Sequence, residues 1–115
     1  MLVPIETKEI ILKKGEICYL DIPAYVTSLK GINIFTDNGK LLVTNKRIVF
    51  IGKSRTITYQ TNKILKFEIL WDYERTEEIL YIYKENQTKL EPICLGKNAG
   101  SVGIKEIINN VLRLY

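Results

Sequence analysis

The chain contains no histidine. That removes the side chain most often used as a general base near neutral pH, and the commonest nitrogen ligand for a metal. Ser28, Ser54 and Ser101 consequently have no imidazole to activate them as nucleophiles. Cysteine is scarce: Cys18 and Cys94 are the only two, each in a strand-like apolar context and without C-x-x-C spacing. They read as buried, reduced thiols rather than as a disulfide or a metal site. Long apolar runs are missing too. The longest uninterrupted one near the middle, Ile48 to Ile51, falls far short of a membrane span. The N-terminus carries Glu6 and Glu9 within a short apolar stretch and no small-residue cleavage site, unlike a secretion signal. No P-loop, GxGxxG or metal-ligand spacing is present. These absences lead us to expect a soluble, cytoplasmic, non-enzymatic protein with no cofactor, no metal and no small-molecule substrate.

What is present is a globular composition. At 115 residues, 46% hydrophobic and 26% charged, the chain suits one domain over residues 1–115 with a core that needs no staples. Short alternating runs broken by turn residues predict antiparallel β structure. A helical turn is expected near Glu6 to Leu12, then a break at Lys14-Gly15 and a first strand over Glu16 to Val26. Pro23 should mark a bulge or a strand edge, because it has no N–H to give to a ladder. Asp37-Asn38-Gly39 reads as a turn. Lys40 to Thr44 and Arg47 to Gly52 form the clearest hairpin, joined by Asn45-Lys46, where Asn tolerates the positive φ of a tight turn. Arg55 to Gln60 and a strand bearing Leu65, Phe67, Ile69 and Trp71 on one side read as a further hairpin. Asp72 to Glu78 is expected as an exposed, charged turn, so the adjacent carboxylates of Glu77 and Glu78 read as solvated. Ile79 to Tyr83 and Lys89 to Leu95 complete about seven strands.

After a loop over Gly96 to Gly100 the period changes. Ile104, Ile107, Ile108, Val111, Leu112 and Tyr115 fall on one helical face, with Ser101 as a candidate N-cap, predicting a helix over residues 101–115. Its apolar stripe needs a partner, and the mouth of a small barrel offers one. The fold class expected is mainly β, an antiparallel barrel of about seven strands capped by one C-terminal amphipathic helix.

That order of elements resembles the pleckstrin-homology (PH) superfold. Gly39-Lys40-Leu41-Leu42-Val43-Thr44-Asn45-Lys46-Arg47-Ile48-Val49-Phe50 resembles the hairpin signature of GRAM and bacterial PH-like domains, and Leu12-Lys13-Lys14-Gly15-Glu16 resembles their entry to the first strand. The resemblance implies a binding module whose ligand is a phosphoinositide, a peptide, a partner domain or another copy; the fold alone does not choose.

Charge is unevenly placed. Lys40, Lys46, Arg47, Lys53, Arg55, Lys63 and Lys66 lie in a stretch, Lys40 to Phe67, without Asp or Glu, and acidic residues dominate the segment that follows. A basic side and an acidic side are therefore expected. Recognition of a protein partner, or self-association through charge complementarity, is the leading expectation. The alternative is an anionic membrane surface, at the inner face of the membrane, bound through Lys40, Lys46, Arg47, Lys53 and Arg55. Nucleic acid is a weaker third reading, since Tyr81 and Tyr83, the credible stacking pair, lie in the acidic segment. Against all three stands the ordinary expectation that charged side chains cover solvated strand faces, with Arg47 as a packed structural residue.

Overall fold

The computed structural model describes residues 2–30, 32–87, 89–96 and 100–114. The β-rich runs flanking Asn45-Lys46 pair as expected, as strands β2 (Asn33–Thr44) and β3 (Arg47–Gly52) in the register Val43↔Ile48 to Gly39↔Gly52. Alternation places Leu41, Val43, Ile48 and Phe50 in the buried core. The turn itself differs from expectation. Among the described non-glycine residues only Thr76 and Asn86 have positive φ, so Asn45 does not. Instead the Thr44 hydroxyl accepts the backbone N–H groups of Lys46 (3.1 Å) and Arg47 (3.0 Å), closing the turn from its first residue.

The remaining elements are β1 (Cys18–Lys30), β4 (Thr56–Gln60), a 3₁₀ turn (Thr61–Lys63), β5 (Ile64–Asp72), β6 (Glu77–Lys84), β7 (Ile93–Gly96) and α1 (Ser101–Leu114). All seven strands form one antiparallel sheet in the order β4-β3-β2-β1-β7-β6-β5, curled into a half-barrel. The expected pairing of β4 with β5 is not made: consecutive in the chain, they are the two edges of the sheet. Side chains bridge the opening. Arg55 meets Glu91 at 2.8 Å, and the Lys84 ammonium lies 5.4 Å from the centre of the buried Tyr59 ring.

Helix α1 presents Ile104, Ile108 and Val111 to the core, with Ile107 and Leu112 half-buried beside them. Each fully buried aliphatic side chain contributes about 1.5–3 kcal/mol, which stabilises a helix too short to persist alone. The Ser101 side chain and Tyr115 lie outside the described residues.

Three further expectations change, and a fourth is narrowed. Residues 6–12 contain bends but no helical turn. Asp37-Asn38-Gly39 is not a turn; β2 runs straight through it. A Cβ on Gly39 would lie 1.8 Å from the Ile51 carbonyl oxygen, so glycine here permits close approach of β3. For Pro23 the strand-edge alternative holds rather than the bulge, which in β1 lies between Cys18 and Leu20. Pro23 faces Lys40, and on its other side β1 has one partnered residue, Tyr25 opposite Cys94, so no ladder runs past the proline there. Finally, a register shift between Ile64 and Lys66 takes Leu65 out of alternation. Phe67 and Ile69 pack on the core as expected, whereas Leu65 and Trp71 are exposed.

Candidate functional site

The five basic candidates do not assemble into one patch. Lys46 and Arg47 stand at the β2–β3 turn, while Lys53 and Arg55 stand at the β3–β4 turn. Six residues of extended β3 separate the two turns by about 20 Å. Lys40 lies mid-strand, 3.3 Å from Asp21 on β1. The expected basic and acidic sides are also mixed in space, because Arg47 pairs with Glu16 (2.9 Å) and Arg55 with Glu91. Among the described residues, Lys46 and Lys53 have no carboxylate at ion-pair distance.

Arg47 is built into the fold. Its Nε donates to Glu16 Oε2 at 2.9 Å and its Nη2 to Glu16 Oε1 at 3.2 Å, a two-point clamp on a fully buried carboxylate. Glu16 also accepts the Thr44 hydroxyl (2.7 Å) and the Lys13 N–H (2.9 Å). Burial pushes this carboxyl up, but the hydrogen bonds from Arg47, Lys13 and Thr44 and the Arg47 charge outweigh it and hold Glu16 below the usual carboxylate range. Asn45 completes the joint by accepting the Ile17 N–H (2.7 Å) and donating to the Gly15 carbonyl (2.9 Å). Gly15 takes positive φ, which lets the entry to β1 fold back onto the hairpin turn. The Gly-Glu and Thr-Asn-basic signatures are thus two halves of one structural joint. Above it lies a polar cleft of about 390 Å³, lined by Lys13, Lys46 and Arg47 together with Thr58, Gln60 and Asn62.

At the other end of β3, Asp37 accepts the backbone N–H groups of Lys53 (2.7 Å), Ser54 (3.1 Å) and Arg55 (3.2 Å). The residue that looked like a turn former in its own segment instead caps a neighbouring turn.

The sequence reading missed a buried polar cluster. Glu77 opens β6 and is buried, not part of an exposed turn. The Tyr25 hydroxyl sits against both of its carboxylate oxygens. Arg75 lies 3.9 Å from Glu77 Oε1, donates to Thr27 Oγ1 at 3.2 Å and lies 3.6 Å from Cys94 Sγ. Burial, then the Glu77 charge, pushes the Cys94 thiol up, and burial with the Glu77 hydrogen bond does the same to the Tyr25 hydroxyl. Both stay protonated at neutral pH. The cluster braces the weakest seam of the sheet, where β1 and β7 share one residue pair. No signal within the local segment marks Glu77 as buried, because Tyr25, whose hydroxyl meets its carboxylate, lies far away in the chain on β1. Both cysteines are free and buried, as expected. Among the described residues no three acidic or cysteine side chains cluster closely enough to hold a metal ion, and no helix is long and apolar enough to cross a membrane. Tyr81 and Tyr83 do share a face of β6, but the Lys66 ammonium lies 4.7 Å from the centre of the Tyr83 ring.

The most exposed apolar surface is elsewhere. β1 and β2 continue beyond the sheet: the pairs Ser28↔Phe35, Leu29↔Ile34 and Lys30↔Asn33 have no third strand beside them among the described residues. The molecule measures 44 × 28 × 25 Å along its principal axes. Ile32, Ile34 and Phe35 at its end are 96%, 69% and 50% exposed.

No family model matches the chain, and no curated protein matches it in sequence. The fold itself, a curled antiparallel half-barrel with a C-terminal helix, is compatible with a PH-like architecture.

Proposed function

We propose that the chain is a non-catalytic, PH/GRAM-like binding module that recognises a protein partner through the β1–β2 arm. One observation carries this reading: beyond Thr27 and Thr36 the ribbon has no third strand beside it among the described residues, and Ile32 and Ile34 there are 96% and 69% exposed. Ordering a residue costs about 1–2 kcal/mol of backbone entropy, and a lone two-stranded hairpin is marginal in water. Exposed apolar side chains gathered at one place are the usual mark of an interaction surface. The seven-strand order, the terminal helix and the Gly39–Phe50 hairpin support the PH/GRAM assignment. The membrane reading has less support, because it rests on Lys46 and Lys53 at opposite ends of β3.

The test is a photo-cross-linking residue, benzoylphenylalanine, in place of Phe35, used in the native cell. Discrete protein adducts are expected from position 35 and not from the same residue at exposed Lys105 on α1. In parallel, residues 28–35 are replaced by Asn-Gly, which joins the paired Thr27 and Thr36 by a two-residue turn. This variant should fold and lose those partners. Lipid adducts at position 35, or salt-sensitive sedimentation with anionic vesicles that survives loss of the arm, would overturn the reading in favour of a membrane.

A further inference from the structure

The two edges of the sheet are unequal. β4 is five residues long and exposes Thr56, Thr58 and Gln60, a short polar edge of the kind that discourages pairing. β5 is nine residues long, pairs with β6 alone, and exposes Leu65 (67%), Leu70 and Trp71. The first part of β5 reads Leu65-Lys66-Phe67-Glu68-Ile69. This segment is its own complement when reversed about Phe67, with opposite charges one step either side and aliphatics two steps either side.

We propose that β5 is a homodimerisation edge, on which a second copy of the chain pairs antiparallel about a two-fold axis through Phe67. In that register Lys66 of each copy faces Glu68 of the other. Opposite charges directly across an antiparallel pair are favourable and like charges are not, so the charges select this register. Lys66 is exposed, Glu68 is half-buried, and the two already lie 3.4 Å apart on one face of the strand. Two copies therefore bring four alternating charges together. A two-fold β5–β5 contact closes on itself, whereas β5 on β4 of the next copy would propagate into a filament. This inference is independent of the arm, and the dimer leaves both arms free.

Sedimentation equilibrium over micromolar to millimolar concentrations tests it. The wild-type mass should rise from 13.3 kDa toward twice that value. Lys66→Glu and Glu68→Lys, each alone, place like charges opposite each other and should weaken the dimer by about tenfold or more. An equimolar mixture of the two single variants should form a heterodimer, since their charges are then opposite at both positions. The double variant Lys66→Glu/Glu68→Lys should dimerise like wild type. Should either reversal unfold the domain, Lys66→Gln and Glu68→Gln carry the same comparison with a smaller expected loss. A constant monomer mass for wild type, single reversals without effect, or a mixture that stays monomeric would each overturn the proposal. Loss of the dimer on shortening the arm would overturn it as well. A monomer that still gives protein adducts at position 35 would end this inference and leave the arm reading standing.

Discussion

Arg47→Ala tests the joint between the entry to β1 and the β2–β3 turn. Glu16 is fully buried in its side chain and Arg47 is its only cationic partner among the described residues. Truncating Arg47 leaves the carboxylate with the Thr44 hydroxyl and the Lys13 N–H, two neutral donors for a buried charge. Removing one partner of a buried ion pair costs about 3–5 kcal/mol, a large share of the roughly 5–15 kcal/mol that holds a domain of this size. Lys46→Ala, one residue away and exposed, should cost no more than about 0.5 kcal/mol. Urea unfolding at neutral pH measures both. The pH dependence supplies a second check. Glu16 titrates below its ordinary value of 4.5 in the folded protein, so its stabilisation is present above that value and is lost as pH falls through the lower folded value. The gap between wild type and Arg47→Ala should therefore narrow in acid, as the carboxyl is protonated in both. A cost below about 1 kcal/mol at neutral pH, or a gap that does not narrow as pH falls through the lowered value of Glu16, would refute the account of Arg47 as a structural counter-charge.

Three other outcomes are expected. Tyr25→Phe strips Glu77 of its hydroxyl donor and should destabilise by about 1.5–3 kcal/mol in thermal or urea melts, with no change in cysteine accessibility in the native state. Gly39→Ala drives a Cβ into the Ile51 carbonyl and should cost at least about 3 kcal/mol or prevent folding, read by circular dichroism of the purified variant. Burial first, and the Glu91 charge second, push the buried Tyr59 hydroxyl up to about 12. A group raised in the folded state stabilises below its unfolded value, near 10, and loses that contribution as pH rises through 12. Alkaline titration should thus show a sigmoidal loss of about 3 kcal/mol between these values, diminished in Tyr59→Phe.

Strand and helix periodicity were legible because they are local. The alternation through Leu41, Val43, Ile48 and Phe50 and the helical stripe through Ile104, Ile108 and Val111 both carry their facing in the sequence, and both face the core. Turn chemistry was legible only where the turn residue serves its own segment, as at Gly15. Asp37 and Gly39 carry turn residues for a different purpose, the first to cap the β3–β4 turn and the second to admit β3. The facing of Leu65 was lost because the bulge between Ile64 and Lys66 takes it out of alternation, whereas Trp71 keeps the register of Phe67 and Ile69 and is exposed near the end of β5.

The element types, the main hairpin and the helix stripe follow from residues a few positions apart and are readable in the linear chain. Which strands became edges, the pairing of Arg47 with Glu16 and of Arg55 with Glu91, and the enclosure of Glu77 emerge only in the folded molecule. Charge pairing and burial depend on distances between segments remote in the chain, and those distances exist only once the sheet has curled. The same curvature left β5 open and carried the β1–β2 ribbon beyond the last strand able to flank it.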